Sequence, residues 1–181
     1  VYTSGIWVLG ETGDEAITED DPVDPAELVA WRAELEGWVV AAAGRGVRTV
    51  VVRPGIVYGR GGGLPAMMAR GNLPLIGEGE NRWPVVHIDD VGRLYVAALE
   101  RGSAGSVLHG VADHVRAREV AERLGAESVP PGEAREQMGA FADALALDQR
   151  VASEKTRDRV EWTPREPGIL ELSALELGGQ T

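Results

Sequence analysis

Apolar and polar positions change rhythm several times along the chain, and each change marks an element. Val1–Ser4 reads as a short strand ended by Gly5, and the acidic, turn-rich stretch Glu11–Asp24 reads as a surface loop. Leu28, Trp31, Leu35, Trp38, Val39 and Ala42 then recur at helical spacing, which predicts a helix over residues 25–43. Asp24 is placed to cap it, Pro25 suits its first position, Glu27 can reach back to the cap, and Gly44 or Gly46 ends it. Trp31 and Trp38 can serve the core or a contact between two copies of the chain, and the core is the expected use. Val47–Arg53 (VRTVVVR) is centred on a β-branched run of the kind covered on both faces of a sheet. Strand, helix and strand in this order form a βαβ unit and imply a parallel sheet.

Beyond the stop at Pro54–Gly55, the glycine-rich Gly59–Gly63 reads as a mobile loop, and from Leu64 onward the pattern shortens. Leu73–Ile76 and Val85–Ile88 are short apolar pieces, and Ser106–Gly110 is a further strand. Asp89 or Asp90 caps a helix carrying Val91, Leu94, Tyr95, Ala98 and Leu99 on one face. Helices are expected over Arg116–Leu124 and Glu133–Leu147, after a cap at Ser153, and over Ile169–Leu177, with a frayed tail at Gly178–Thr181. The fold class is therefore α/β. Residues 1–60 form part of a Rossmann-like parallel sheet, and residues 61–181 form a smaller mixed α/β lobe that returns to the sheet near residues 85–110.

Composition narrows the function classes. The chain has 181 residues, enough for a real core, and a net charge of −11 that disfavours nucleic acid as a partner. No apolar run approaches the ~20 residues of a membrane span. There is no cysteine, which excludes disulfides, zinc–thiolate sites and a cysteine nucleophile, and suits the cytoplasm. His87, His109 and His114 lack metal-ligand spacing, so no metal site is expected.

Three stretches carry candidate chemistry. Arg53–Gly59 (RPGIVYG) leaves the carboxyl end of a buried strand, where open α/β sheets bind ligands, and Gly55 permits close backbone approach. Its plainer use is a strand-to-loop turn. Val85–Glu100 (VVHIDDVGRLYVAALE) offers His87 as a substrate contact, with ordinary packing as its other use. Tyr2–Gly5 (YTSG) ends the first strand, where the hydroxyls of Thr3 or Ser4 can polarise a carbonyl or simply satisfy local backbone.

These stretches, in this order, together with GEGENRWP and VEWTP, resemble the NAD-dependent epimerase/dehydratase members of the short-chain dehydrogenase/reductase superfamily over nearly the whole chain. The resemblance is to an extended or atypical C-terminal part that lacks the glycine-rich N-terminal half. It implies NAD or NADP as cofactor, held fully only with that missing half. Counting back from Gly10, the family's catalytic hydroxyl falls on Gly5, with Thr3 and Ser4 beside it. Backbone at Pro54, Gly55, Ile56 and Val57 would face the nicotinamide, and Asn81, Arg82 and Trp83 would shape the substrate lobe with His87. The family helix carries tyrosine and, four residues on, lysine. Aligning its following glutamate with Glu36 puts Leu28 and Arg32 at those positions. Both stand on one helix face, yet leucine transfers no proton, and a guanidinium binds ribose hydroxyls without giving up its own. Tyr2, Tyr58 and Tyr95 are candidate substitutes.

No GxxGxxG followed by a helix occurs. GRGGG follows the wrong strand and leads into Leu64–Pro65. The chain alone is therefore expected to bind a dinucleotide poorly and to be inactive, and Val1–Ser4 and Val47–Arg53 are expected to present an unpaired sheet edge. The resemblance implies an epimerase, dehydratase or reductase acting on a sugar nucleotide or another small polar carbonyl or hydroxyl compound. The competing reading is a non-catalytic dinucleotide-binding regulator or sensor. The family also implies a homodimer through the helix at residues 25–43.

Overall fold

A computed structural model describes residues 1–178; the tail expected to fray falls, at residues 179–181, outside them. Two short sheets carry the architecture. In the first, β1 (Tyr2–Thr3), β2 (Val50–Pro54) and β6 (Ser106–Gly110) run parallel in the order β1-β2-β6. In the second, β3 (Ile56–Tyr58) pairs parallel with β5 (Arg82–His87), which pairs antiparallel with β7 (Asp113–Arg116). A parallel pair, β4 (Leu75–Ile76) with β8 (Ser128–Val129), extends the outer lobe.

All five residues of β2 are buried, as its β-branched run predicts, and the strand contacts both α1 (Ala30–Ala41) and α3 (Ile88–Arg101). Because β2 has partners on both sides, it is not the edge expected from the sequence. Of the two strands, β1 stands at an edge of this sheet, with β6 at the other. Gly55 sits between β2 and β3, where the chain passes from one sheet to the other. A side chain there would meet the Pro84 carbonyl oxygen at 2.7 Å. Its smallness is thus spent on strand packing.

The helix predicted at residues 25–43 begins later than expected. Asp24 caps nothing; a 3-10 turn at Glu27–Val29 leads into α1, and a second at Ala42–Arg45 closes it at Gly46. Trp31 and Trp38 are 55% and 60% exposed, so the core assignment is overturned: the buried member of this helix is Glu36. At α3 the cap is His87, whose Nδ1 accepts the Asp89 amide at 3.2 Å. Asp90 is drawn inward instead, accepting the backbone amides of Arg165 and Glu166 and the Arg93 side chain.

The glycine loop is closely packed at its two ends. A Cβ on Gly59 would strike the His87 ring at 2.2 Å, and one on Gly63 the Val57 carbonyl at 2.0 Å. It runs into α2 (Gly63–Ala69), a helix the sequence pattern did not reveal, with Pro65 tolerated in its first turn. The segment expected at 133–147 breaks at Gly139 into α5 (Pro131–Met138) and α6 (Ala140–Ala146). Between β7 and β8 lies α4 (Ala117–Leu124), and α7 (Glu154–Val160) follows Ser153, whose hydroxyl bonds the Val111 carbonyl and not the helix. Ile169–Leu177 forms turns, not a helix, and buries Ile169, Leu172 and Leu177 in the outer lobe's core. A second apolar cluster, including Val52, Leu94, Leu108 and Trp162, fastens α3 and α7 to the first sheet. Truncating fully buried Leu94 to alanine should cost about 2–5 kcal/mol.

Candidate functional site

The site begins with a buried charge pair. Glu36 on α1 and Arg53 on β2 are each 4% exposed, and the Arg53 Nη2 donates to Glu36 Oε2 at 2.5 Å while its Nε reaches both carboxylate oxygens at 3.1 Å. The remaining arm, Nη1, lies 3.3 Å from Nε2 of buried His109 on β6. The His109 Nδ1 donates to the Ala152 carbonyl at 2.9 Å, which leaves Nε2 as the acceptor for Arg53. Burial pushes the His109 imidazole down to about 4, so it is neutral at ordinary pH. Helix α1 is thereby locked across β2. One turn before Glu36 the same helix presents Arg32, and the 3-10 turn that leads into it presents Leu28, both at the carboxyl ends of β1 and β2.

A cavity of about 770 Å³ opens there, between the strand ends, the start of α1, helix α2 and Phe141 of α6. Thr3, Ser4, Gly5, Leu28, Arg32 and Pro54–Val57 all line it, so the structure brings together the strand-end, helix and RPGIVYG positions that the sequence singled out. The Ser4 amide donates to the Val52 carbonyl at 2.8 Å, continuing the ladder beyond β1. Its hydroxyl is buried and has no hydrogen-bond partner. Gly5 is extended, and an added Cβ would come no nearer than 4.0 Å to the Pro54 carbonyl, so a hydroxyl-bearing side chain would fit where none exists. The Arg32 Nη1 donates to the Thr3 carbonyl at 3.2 Å, and its guanidinium lies 4.7 Å from the centre of the Trp31 ring. The Gly55 amide is committed to the Gly110 carbonyl at 2.9 Å and is not free for a ligand.

None of the three tyrosines lines the cavity. Tyr58 donates to the Pro167 carbonyl at 2.8 Å and meets the His87 ring edge-on. Burial and the nearby carboxylates of Asp90 and Asp113 push it up to about 12. Tyr95 comes nearest: its hydroxyl is 2.6 Å from Thr3 Oγ1, and burial raises it as well. The Tyr2 hydroxyl is buried without a partner.

The lobe residues expected to contact substrate lie outside this cavity. Asn81 donates to the carbonyls of Leu145 and Leu147, and the Trp83 indole donates to Leu145. Arg82 grips Asp148 through its backbone amide at 2.6 Å and its Nε at 2.7 Å, and this holds the Asp148 carboxyl below its usual range. His87 is packed under Gly59 and Tyr58. His87, Asp89 and Glu166 do approach one another within 4.8 Å, a grouping invisible in the sequence. Asp89 is bound by Arg60 at 2.9 Å and Glu166 by Arg93 at 2.6 Å, so both carboxylates already have cations.

Sequence reasoning passed over Trp7, Leu64, Met67, Arg70 and Phe141, which complete the cavity wall. Trp7 and Phe141 meet edge-to-face with centroids 5.9 Å apart, a contact between residues far apart in sequence. The one available signal was the apolar character of IWVL directly after the strand end.

Residues 10–109 match the family model described as NAD dependent epimerase/dehydratase family. An uncharacterized Schizosaccharomyces pombe protein, C2A9.02, is 32% identical over 169 residues, covering 86% of this chain; the chain spans only 55% of that relative's length. Among solved structures, human epimerase family protein SDR39U1 (isoform 2) with NADPH superposes with a TM-score of 0.73 at 25% identity, covering 97% of this chain and 63% of that one. The dTDP-glucose 4,6-dehydratase DesIV of Streptomyces venezuelae, with NAD and TYD bound, gives 0.77 at 22% identity, covering 98% of this chain and 56% of that one.

Proposed function

The chain belongs to the NAD dependent epimerase/dehydratase family, and from that premise we propose that it forms the nicotinamide- and substrate-facing part of an NAD(P)-dependent oxidoreductase or epimerase acting on a small carbonyl or hydroxyl compound. One observation carries this reading: Gly5, Leu28, Arg32 and Pro54–Val57 converge on a single cavity at the carboxyl ends of parallel strands. The buried, unpartnered Ser4 hydroxyl supplies the test of fit, because such a group is costly unless a ligand completes it. Bound there, a nicotinamide would give or accept a hydride. Arg32 would hold the ribose, and Ser4 would hydrogen-bond the reacting oxygen from the next position along from the family's hydroxyl. The described residues serve the nicotinamide end only. The human relative solved with NADPH makes that form the first to test.

Calorimetry with NADPH and NADH, on this chain and on a form continued upstream to the length of its relatives, tests the reading. Binding by the longer form supports it; failure of both forms with both nucleotides overturns it.

A second reading has its own support. Gly5 and Leu28 offer no proton, which favours a dinucleotide-binding regulator or sensor without turnover. NADPH consumption with a panel of carbonyl compounds separates the two. Turnover lost on Ser4→Ala supports the enzyme, and binding without turnover supports the sensor. To the same proposal belong a homodimer through residues 25–43, on the strength of exposed Trp31 and Trp38, and the cytoplasmic setting. No helix among the described residues is long and apolar enough to cross a membrane.

A further inference from the structure

The cavity wall is chemically lopsided. Its body is made by Trp7, Leu28, Trp31, Leu64, Met67 and Phe141, and among the described residues no aspartate or glutamate lines it. Two cations do: Arg32 and Arg70. Other arginines of this acidic chain are matched to carboxylates, as Arg53 is to Glu36, Arg82 to Asp148, and Arg93 to Asp90 and Glu166, while Arg48, Arg123 and Arg150 are held by backbone carbonyls away from this cavity. Arg32 and Arg70 have no carboxylate partner among the described residues. Arg32 donates once, to the Thr3 carbonyl. Arg70 is held by backbone alone: its Nη2 donates to the Gly61 carbonyl at 2.9 Å and its Nε to the Gly178 carbonyl at 3.3 Å. These bonds fix the guanidinium and leave Nη1 unengaged among the described residues.

We infer that the substrate is an apolar monoanion, a hydrophobic carboxylic acid that also carries the reacting carbonyl or hydroxyl. It is not a nucleotide sugar. The inference rests on the functional reading above and names its substrate class. A sugar nucleotide presents a ring of hydroxyls that need polar partners, and burying those hydroxyls against indole, phenyl and thioether surface would leave them unsatisfied. An apolar acid matches instead. Its body covers the aromatic and aliphatic wall, its carboxylate meets the fixed Arg70 guanidinium in a charge-assisted hydrogen bond, and its single reacting oxygen reaches the unpartnered Ser4 hydroxyl. Arg32 remains with the cofactor's ribose, so Arg70 is the specificity-determining cation.

The test uses 4-phenylbutyrate, its neutral counterpart 4-phenyl-1-butanol, and UDP-glucose, with binding followed by calorimetry and by quenching of tryptophan emission from Trp7 and Trp31. The acid should bind about tenfold more tightly than the alcohol, and UDP-glucose should not displace it. Arg70→Gln should abolish the preference for the acid while leaving the alcohol's affinity and the thermal midpoint unchanged, since Arg70 is exposed. Acid and alcohol binding equally, an unchanged preference in Arg70→Gln, or displacement by UDP-glucose would each overturn the inference. NADPH binding is measured on the same samples. Nucleotide binding without an acid preference sinks the substrate class and spares the cofactor reading. An acid preference with no nucleotide binding by this chain or by the form continued upstream does the reverse.

Discussion

Two neighbouring regions of the first sheet treat polar groups in opposite ways. Beneath α1, Glu36, Arg53 and His109 are buried and joined to one another or to backbone, so the cluster is closed. A few residues along the same strands, Ser4 is equally hidden and joined to nothing, and Arg32 and Arg70 have no counter-charge among the described residues. A closed polar cluster holds structure, while an open one is complete only with something from outside the chain. The two are mechanically linked, because the closed cluster sets the position of the helix that roofs the open one.

Breaking the closed cluster should have the largest effect. Glu36→Ala strands a buried guanidinium and should cost about 3–5 kcal/mol, read from the denaturant midpoint. Replacing both partners, Glu36→Leu with Arg53→Met, should cost much less, because no charge is left unpaired. If the single and double variants lose equal stability, the pair is not what holds α1.

Acid should loosen the same cluster. The His109 imidazole is held down to about 4 in the fold against 6.5 for the ordinary group, so between these values the unfolded chain takes up a proton that the native chain refuses. The stabilisation is fully present above about 6.5 and drains away as pH falls toward 4. The denaturant midpoint should therefore drop between about pH 7 and about pH 5, and His109→Gln should flatten that drop. Burial also lowers His114, which contributes in the same direction.

The open region should behave in the reverse manner. Ser4→Ala removes an unsatisfied hydroxyl, so the unliganded protein should be unchanged or more stable by up to about 1 kcal/mol, while ligand affinity falls. A clear loss of unliganded stability would show that Ser4 has a partner within the fold. The smallest effect belongs to Trp38→Glu. On the exposed face of α1 it should shift folding stability by no more than about 0.5 kcal/mol, yet it should shift sedimentation toward monomer if this helix joins two copies.

The comparison also explains what could be read in advance. The all-buried β2 was legible because VVVRP has one sensible environment, and α3 because Val91, Leu94 and Ala98 repeat at a helix's spacing. The cavity positions Leu28 and Arg32 were legible only through family resemblance, since periodicity says which residues share a face and not what lies opposite. Long-range polar pairing was illegible altogether. Nothing near Asn81, Arg82 or Trp83 in the sequence points to Leu145 or Asp148, and nothing near Glu36 points to Arg53. The apolar residues of Ile169–Leu177 do bury, but in successive turns, because a hydrophobic rhythm records burial and not backbone conformation.

The passage through Gly55 has a consequence for the order in which the molecule assembles. Val51 is registered to Tyr2 on one side and Val107 on the other, and two residues past Gly55, Val57 is registered to Val86. One short stretch of chain is thus the common seam of both sheets, and every pairing it makes closes a long loop. Neither sheet can nucleate from local hairpins, so folding must wait on distant encounters and belongs to the slow, topology-limited class. A substitution such as Gly55→Ala, which forces this seam against Pro84, should be visible in the refolding rate as well as in the final stability.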